Sequence, residues 1–482
     1  MCGIVGYFST KHDLDPRRFA AANNMVRYRG PDSFGYISIS RDLDVAASHG
    51  ENMEDIDRNA KPLGAIGFRR LSIIDLTAAG NQPMSDESGR YYIVHNGEVY
   101  NYVEVREELT SRGHTFRSGT DTEVILRSYM EWGSDCLDRF NGMWSFCVLD
   151  KSQGVLFCSR DRFGIKPFYY YHDGECFIFG SEVKQVISLL PFTPSADSDV
   201  LFDYLALGSY GNETRDTFFA GIKRLLPAES LTADLKHPGR IDVTRRIWWD
   251  LPANGASMAD GKDRDETIRS LLEDSIRLRL RSDVPLGTCL SGGLDSSGIA
   301  CIVDRMVAGK DAGERQKVFV IGSSDPRLDE TGYARMVIER TNVEAFFGTP
   351  APVDLERDLE KFIWHHDEPL ISASMFGGWQ VYKLAHQSGV TVVLDGQGCD
   401  ELLGGYYSGP HVRLLDDLLR GRRVADFADQ LQQNSVLYGR SMMGLLLDVL
   451  LARMRRSVRG AVPWSYHPGV RKLARGWLND DC

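Results

Sequence analysis

The hydrophobic and polar positions up to about residue 190 predict a mostly antiparallel sheet, because short alternating apolar runs are separated by turn signals. Two pairs of such runs flank polar turns and predict hairpins: Ser145–Asp150 with Val155–Ser159, and Phe168–Tyr171 with Cys176–Phe179. Two further stretches have helical periodicity: Val103–Arg112 and Thr122–Trp132. We therefore expect layers of strands and helices in this region.

A different pattern begins near Glu266, where strong helices alternate with compact β-branched runs such as Val318–Ile321 and Val390–Leu394. This alternation predicts a parallel α/β sheet, whose ligands bind at the carboxyl ends of its strands. Prolines punctuate weaker patterns between the two regions. We predict three parts: a first domain over residues 1–190, a linker and edge of that domain over 191–262, and a second domain over 263–482.

Composition narrows the class of protein. The 482-residue chain has 56 basic and 67 acidic residues, a net charge of −11, so we expect no nucleic-acid partner. Nine cysteines without a C-x-x-C pair indicate reduced thiols in the cytoplasm. No apolar stretch reaches the roughly 18 residues of a membrane span, so we expect no membrane partner. The Leu-rich run Gly444–Met454 predicts an amphipathic helix packed on a core, and a homodimer is left open.

A loop rich in Ser and Gly joins a predicted strand to a predicted helix, with the sequence Ser291-Gly292-Gly293-Leu294-Asp295-Ser296-Ser297. Backbone N–H groups, hydroxyls and the helix N-terminus of such a loop can bind phosphate. Asp295 would repel phosphate unless Mg²⁺ lay between them, so we expect it to bind that metal. Asp400, in the exit of a second strand at Leu394–Tyr406, would supply another Mg²⁺ ligand. We expect Trp364–Pro369 to form a loop at the edge of this nucleotide site.

The N-terminus offers a second candidate site. Removal of the initiator methionine would leave Cys2 with a free α-amino group, whose reference pKa is about 7.7 to 8.0 and which can act as the base for the Cys2 thiol. An amide substrate also needs an oxyanion hole, which the Asn96 side chain and the Gly97 N–H could form. An amino-acid zwitterion needs a cation and at least one carboxylate, and three residues in loops beside strands could supply them: Arg70, Glu98 and Asp121.

Taken together, these motifs resemble those of the glutamine-hydrolysing asparagine synthetases over essentially the whole chain. The segments similar to the glutaminase half of that family are MCGIVGYF, YRGPDS, RRLSIID, HNGEVYN, SGTDTEV and, at Arg160–Pro167, RDRFGIKP. The segments similar to the synthetase half are SDVPLGTCLSGGLDSS and LDGQGCDELLGGY. Other amidotransferases share only the first half, and other ATP pyrophosphatases share only the SGG-x-DS loop, so the combination is specific.

The resemblance implies an α/β protein with an α+β part: an N-terminal αββα sandwich of the N-terminal-nucleophile (Ntn) glutaminase type, then a parallel-sheet α/β ATP-pyrophosphatase domain with helices. It implies that glutamine is hydrolysed to ammonia, that MgATP adenylates an acceptor carboxylate, aspartate in the family's namesake, and that ammonia crosses between the domains and displaces AMP. The implied site residues are catalytic Cys2, Asn96 and Gly97; glutamine-binding Arg70, Glu98 and Asp121; ATP-binding Leu290, Ser291, Gly292, Gly293, Asp295, Ser296, Ser297, Ile321, Asp395 and Gly396; Gln397 for the intermediate; and Mg²⁺-binding Asp295 and Asp400.

Two departures from the family pattern concern the acceptor. Gln397 stands where the family's namesakes commonly carry Glu, and neither an Arg-Val-Pro-Phe-Leu-Asp-like segment nor the family's catalytic lysine is found after Tyr406. We therefore expect the chain to hydrolyse glutamine but to form amide poorly on its own. Two alternatives stay open: a relative that makes a different amide, lactam or peptide bond, and a truncated glutaminase or binding protein without full synthetase activity.

Overall fold

The structure is a computed structural model that describes residues 1–48, 62–207, 214–251, 262–308, 315–327, 329–370, 372, 374–406 and 412–459. Its first part is built mainly of strands: β1 (Gly3–Ser9), β2 (Ser33–Ile39), β3 (Val45–Ser48), β4 (Gly64–Arg70), β5 (Met84–Ser85), β6 (Tyr91–Val99), β7 (Gly142–Asp150), β8 (Val155–Arg160), β9 (Tyr169–His172), β10 (Cys176–Gly180), β11 (Ile222–Arg224), β12 (Glu229–Asp234) and β13 (Asp242–Ile247). The helices of this part are α1 (Pro16–Asn24), α2 (Tyr102–Ser111), α3 (Asp121–Trp132), α4 (Val183–Leu189) and α5 (Ser198–Leu207).

These strands form two antiparallel sheets. The first has seven strands in the order β11-β9-β10-β1-β4-β2-β3, and the second has six in the order β13-β12-β8-β7-β6-β5. The predicted hairpins are confirmed as the pairs β7–β8 and β9–β10. The predicted helices are confirmed as α2 and α3, with ends that differ by one residue or none. The first strand of the chain, β1, lies between β4 and β10 in the middle of its sheet.

The two sheets pack face to face. Because alternate residues of a strand point to opposite faces, β1 contributes side chains to two layers. Ile4 and Phe8 of β1 belong to the core between the sheets, together with apolar side chains of β7, β8 and β12. Val5 and Tyr7 point the other way and pack with side chains of α1 and α4. Helices α2 and α3 cover the outer face of the six-stranded sheet. The expected αββα sandwich is therefore confirmed.

The second part of the chain alternates strands and helices. Its strands are β14 (Leu286–Cys289), β15 (Gln316–Ile321), β16 (Val343–Gly348) and β17 (Val392–Leu394). Its helices are α6 (Lys262–Arg279), α7 (Leu294–Val307), α8 (Thr331–Ile338), α9 (Pro352–His366), α10 (Ser374–Gln387), α11 (Cys399–Leu403), α12 (Val412–Arg420), α13 (Val424–Tyr438) and α14 (Met442–Arg459). The strands pair in parallel in the order β16-β15-β14-β17, which confirms the predicted parallel sheet.

The last three helices pack around a small core of their own. Leu415 of α12, Phe427 of α13, and Leu445 and Val449 of α14 are buried together. The Leu-rich run at Gly444–Met454 is thus part of an amphipathic helix packed on a core, as predicted. In the described part of the chain, no helix combines the length and the apolar character that crossing a membrane requires.

The segment between the two predicted domains adds strands to the sandwich. Strand β11 pairs with β9, β12 pairs with β8, and β13 forms the edge beside β12. Residues 222–247 thus extend both sheets, as an edge of the first domain would. The boundaries of the three parts stay a prediction.

Ion pairs hold the sandwich against the parallel-sheet part. Lys184 pairs with Asp367 at 2.7 Å, and Arg224 pairs with Glu368 at 3.1 Å. Asp367 has a positive φ of 62°, which turns the chain at the end of α9 toward these cations. Trp364–His366 thus ends α9 instead of forming part of a loop, and the two carboxylates that follow reach the sandwich. That this segment lies at the edge of the nucleotide site stays a prediction.

Candidate active sites

A small cavity of about 50 Å³ lies at the end of the sandwich where β1 begins. Strand β6, the segment after β4 and the start of α3 contribute to its lining. All six residues predicted for the N-terminal site line this one cavity: Cys2, Arg70, Asn96, Gly97, Glu98 and Asp121. Sites for small molecules usually measure about 300–1,000 Å³. A bound amino acid would therefore require the cavity to widen, and Met1 is among the residues that fill it.

The Cys2 side chain is held by the backbone of Leu71. The Leu71 N–H donates to Sγ at 3.4 Å, and the thiol lies 3.6 Å from the Leu71 carbonyl oxygen. Arg29 donates from Nε to the Cys2 carbonyl oxygen at 2.9 Å. Burial raises the pKa of the Cys2 thiol, while the neighbouring α-amino group and the Leu71 N–H act in the opposite direction. Burial also lowers the pKa of the α-amino group of Met1 to about 5, so this environment favours the neutral amine.

Asn96 and Gly97 lie on β6, beside β7. The Asn96 amide donates weakly to the Ser145 hydroxyl at 3.5 Å, and Asn96 Oδ1 has no partner among the described residues. A 180° turn of this amide would let Ser145 donate to Oδ1 and would free the NH₂ group to donate elsewhere. A Cβ atom at position 97 would lie 2.1 Å from the Met143 carbonyl oxygen, so only glycine fits there.

The charged residues of this cavity differ in how many hydrogen bonds they make with other residues of the chain. The Arg70 guanidinium donates to the Thr77 carbonyl at 2.7 Å and to Asn81 Oδ1 at 3.1 Å, so much of its capacity holds the following loop. Asp121 accepts from the Val99 N–H at 2.9 Å, and burial raises its pKa to about 6. Burial raises the pKa of Glu98 to about 7, and no described residue donates a hydrogen bond to its carboxylate. Glu98 is thus the group most available to a ligand.

Sequence reasoning missed several residues of this cavity, among them the titratable side chains of Lys166 and His95. His95 contacts Thr122 through Nδ1 at 3.1 Å, its Nε2 has no partner among the described residues, and burial lowers its pKa to about 3. Lys166 follows β8 in the RDRFGIKP segment and is only 5% exposed. That segment was identified from the sequence, but which of its side chains enters the cavity depends on packing.

A larger cavity of about 600 Å³ lies at the carboxyl ends of β14, β15 and β17. Of the predicted ATP and intermediate residues, nine line it: Leu290, Ser291, Gly293, Asp295, Ser296, Ile321, Asp395, Gly396 and Gln397. Gly292 and Ser297 do not. Gly292 has a φ of 93°, and a Cβ atom there would lie 2.8 Å from the Glu330 carbonyl oxygen, so it shapes the loop instead. Ser297 lies inside α7, where its N–H donates to the Gly293 carbonyl at 3.1 Å.

Hydrogen bonds of its own serine hydroxyls hold the loop before α7 in place. Ser291 Oγ and Ser296 Oγ lie 3.0 Å apart, and Ser291 Oγ accepts from the Gly293 N–H at 3.2 Å. The first turn of the 14-residue α7 helix therefore faces the cavity from a well-defined loop. A helix N-terminus offers free N–H groups and a partial positive charge to an anion.

Acidic side chains dominate the charged lining of the larger cavity: Asp295, Asp395, Asp400 and Glu401. Tyr382 donates to Asp395 at 2.8 Å, and Tyr406 donates to Glu401 at 2.8 Å. The carboxylates of Asp295 and Asp400 accept no hydrogen bond from any described residue. Oxygen donors of this kind fit Mg²⁺. The described residues contain no group of three His, Cys, Asp or Glu arranged to hold a metal, so these two carboxylates would need further ligands from a nucleotide or water.

The chain matches two protein-family models, one described as a glutamine amidotransferase domain over residues 47–244 and one described as asparagine synthase over residues 267–466. A Methanocaldococcus jannaschii protein named as a glutamine-hydrolysing asparagine synthetase is 34% identical over 87% of this chain and 79% of its own length. Bacillus subtilis asparagine synthetase 1 is 33% identical over 84% of this chain, which spans 59% of that relative.

Two further similarities are more distant. An amidase of Penicillium rubens is 29% identical over 84% of this chain and 59% of its own length. Among solved structures, the glutamine phosphoribosylpyrophosphate amidotransferase of B. subtilis in complex with ADP and GMP is 15% identical, with a TM-score of 0.38 over 73% of this chain and 82% of that chain.

Proposed function

Since this chain belongs to the family of glutamine-hydrolysing asparagine synthetases, we propose that it uses ATP to transfer the amide nitrogen of glutamine to an acceptor carboxylate, with aspartate as the first candidate. The observation that supports the proposal is that residues suited to both half-reactions gather in two cavities of one chain. Six residues suited to glutamine hydrolysis line one cavity, and the SGG loop with two hydrogen-bond-free carboxylates lines another.

In the first site, the free α-amine of Cys2 accepts the thiol proton, and Sγ attacks the carboxamide carbon of glutamine. The developing oxyanion receives hydrogen bonds from the Asn96 amide and the Gly97 N–H. The tetrahedral intermediate collapses, the ammonium of Cys2 returns a proton to the leaving nitrogen, and ammonia leaves a thioester. Water then adds to the thioester and releases glutamate and the free thiol. Glu98 and Asp121, the buried carboxylates of this cavity, orient the substrate ammonium.

In the second site, a carboxylate oxygen of the acceptor attacks the α-phosphorus of ATP and displaces pyrophosphate. The N–H groups at the start of α7 and the SGG loop hold the phosphates. Asp295 and Asp400 would hold Mg²⁺, which when bound offsets the negative charge of the phosphate oxygens. Ammonia then attacks the acyl carbon, AMP leaves, and the nitrogen loses one proton to give the amide. Gln397 lines the cavity where the acyl-adenylate would lie.

A different acceptor is the second candidate function. The relatives named amidases in Penicillium rubens and Gibberella zeae indicate that chains similar to this one carry names other than asparagine synthetase. Gln397, where namesakes of the family commonly carry Glu, lies in the cavity that would receive the acceptor. A specialised carboxylate would then replace aspartate, with the same two-step chemistry.

The test supplies the purified chain with glutamine labelled by ¹⁵N in the amide, MgATP and a panel of carboxylates that begins with aspartate. Mass spectrometry should detect a ¹⁵N-amide whose formation matches AMP and pyrophosphate release. Cys2→Ala should lose the label from glutamine but still form amide from added ammonia. Glutamate production without AMP for any acceptor would instead support a glutaminase without synthetase activity, and absence of both products would contradict the proposal.

A further inference from the structure

Lys166 is a buried cation that the mechanism above does not use. Its backbone is held on both sides: its N–H donates to Asp161 Oδ2 at 3.0 Å, and its carbonyl oxygen accepts from Arg160 Nε at 2.8 Å. The side chain lines the cavity that contains Cys2. Within the described residues, the Lys166 amine has no hydrogen-bond acceptor and no ion pair. Burial lowers the pKa of this amine, and the Glu98 carboxylate in the same cavity acts in the opposite direction, so the Lys166 ammonium depends on Glu98.

The other charged and titratable groups around Cys2 are largely satisfied or neutral. Arg29, from the turn after α1, is paired with Glu182 at 3.0 Å. Arg70, after β4, is occupied by the loop that follows it. His95 of β6 is neutral because burial keeps its pKa near 3. Asp121 of α3 accepts from the Val99 N–H. This leaves two groups of opposite sign in the cavity, Lys166 and Glu98, and each of them stabilises the charge of the other.

The nucleophile needs help that a nearby cation can give. Burial alone disfavours the thiolate of Cys2, as it disfavours every charged form. A cation close to a thiol favours the thiolate, and close to an amine it favours the neutral amine. Lys166 acts in both of these directions, on the Cys2 thiol and on the α-amine that Met1 carries. Removal of Met1 would put the Cys2 amine beside the same cavity. Glu98 acts on the α-amine in the opposite direction.

Building on the proposed glutaminase function, we propose that Lys166 is a positioning residue whose ammonium keeps the α-amine of Cys2 neutral before the reaction and stabilises the Cys2 thiolate once that amine has taken the thiol proton. Lys166 keeps its own proton throughout. The proton of the thiol passes to the α-amine of Cys2, as in the mechanism above. Lys166 therefore acts through Cys2 and makes no bond to the reacting carbon.

The test measures how fast iodoacetamide alkylates Cys2 as a function of pH in the full chain, by mass spectrometry of the N-terminal peptide. Lys166→Met should move the midpoint of this profile to higher pH by about one unit, the order expected for a unit charge at short range in a partly screened site. The acidic limb of the kcat/KM profile for glutamine hydrolysis should move in the same direction. Lys166→Arg, which keeps the charge, should restore both profiles toward those of the wild type.

Two controls separate a charge effect from a general disturbance. Lys151→Met removes the same charge from a partly exposed site near Asp44 and should leave both profiles unchanged. Glu98→Gln should move the alkylation midpoint to lower pH, opposite to Lys166→Met. Should Lys166→Met lose its native circular dichroism, Lys166→Gln takes its place.

The outcomes distinguish this inference from the proposed function. A wild-type chain that hydrolyses glutamine, with Lys166→Met profiles that superimpose on it, overturns the role of Lys166 and leaves the glutaminase proposal intact. A wild-type chain that produces no glutamate contradicts the proposed function. In that case the alkylation profiles still test the effect of Lys166 on Cys2, because alkylation needs no substrate.

Discussion

At the scale of single residues, the clearest feature is the cost of holding Glu98 in the small cavity. Glu98 is 6% exposed, and burial raises the pKa of its carboxyl to about 7, above the ordinary value of 4.5. The folded chain therefore binds this proton more tightly than the unfolded chain does. Its contribution to stability is greatest below pH 4.5 and is lost as the pH rises to about 7.

Glu98→Gln should remove this pH dependence. We expect the free energy of unfolding of the variant, relative to the wild type, to rise by about 2 kcal/mol between pH 5 and pH 7.5. Urea denaturation of both proteins at the two pH values measures the difference. Glu107→Gln, on an exposed position of α2, is the matched control. A stability difference that is the same at both pH values would show that Glu98 is not buried as a proton-binding group.

Asp295 and Asp400 differ from their acidic neighbours in accepting no hydrogen bond from the described residues. Asp295→Asn should therefore reduce the affinity for MgATP by about tenfold or more, because a metal ligand is lost. Glutamine hydrolysis should be unchanged, since Cys2 lies in the other cavity. Calorimetric titration at several Mg²⁺ concentrations provides the measurement. Glu401→Gln is the control in the same cavity, because Tyr406 already holds Glu401; an equal loss in both variants would argue against a specific metal ligand.

At the scale of elements, the strand-loop-helix unit β14–α7 depends on a glycine that does not touch the cavity. Gly292→Ala would place a side chain at a φ of 93° and 2.8 Å from the Glu330 carbonyl oxygen. We expect the loop to shift and the affinity for ATP to fall by about tenfold. Nucleotide titration of the purified variant would measure the loss.

Gly298→Ala, inside helix α7, is the matched control for Gly292→Ala. Nothing lies within 4 Å of the added Cβ atom, so the variant should bind ATP as the wild type does. It should also gain about 0.5–1 kcal/mol of stability, because alanine favours a helix. Equal nucleotide affinity in both variants would show that the shape of the loop at Gly292 is unimportant.

The elements also show how far the sequence predicts this molecule. Period-2 runs around polar turns predicted both hairpins, and the strand exits predicted which residues gather at each cavity. Lys166 and Tyr382 escaped prediction, because a side chain on a loop or helix reaches a cavity only through packing against distant elements. The contacts of Trp364–Pro369 with the sandwich escaped prediction for a related reason, since its partners Lys184 and Arg224 lie far away in sequence.

At the scale of the whole molecule, one segment, between α6 and β14, contacts the wall of the Cys2 cavity and leads into the strand that precedes the SGG loop. The Asp283 N–H donates to the Ile73 carbonyl at 2.9 Å, and Asp283 Oδ2 accepts from the Asp75 N–H at 2.7 Å. Ile73 and Ile74 line the Cys2 cavity, while β14 leads directly to the SGG loop. Arg281 adds a bidentate pair with Glu104 at 2.6 Å. One short segment thus contacts the wall of one site and begins the other.

Asp283→Ala should loosen the wall of the first cavity. We expect the KM for glutamine to rise about fivefold with little change in kcat, since one exposed hydrogen bond to a charged group is lost. Steady-state glutaminase assays with and without ATP measure this effect. Asp274→Ala, which removes an exposed carboxylate of α6 that pairs with Arg277, is the matched control. A KM equal to that of the control would mean that the contact does not govern the cavity.

The central position of β1 in its sheet determines when this strand can complete its pairing during translation. Val5 pairs with Gly180, so β1 cannot complete its pairing until β10 has left the ribosome. At about 5–20 residues per second, this interval is roughly 10–35 s. During this interval β1 can pair with β4 but not with β10, so the sandwich has not closed around the start of β1. Under the proposed mechanism, an aminopeptidase that removes Met1 and so exposes the Cys2 amine would act during this interval.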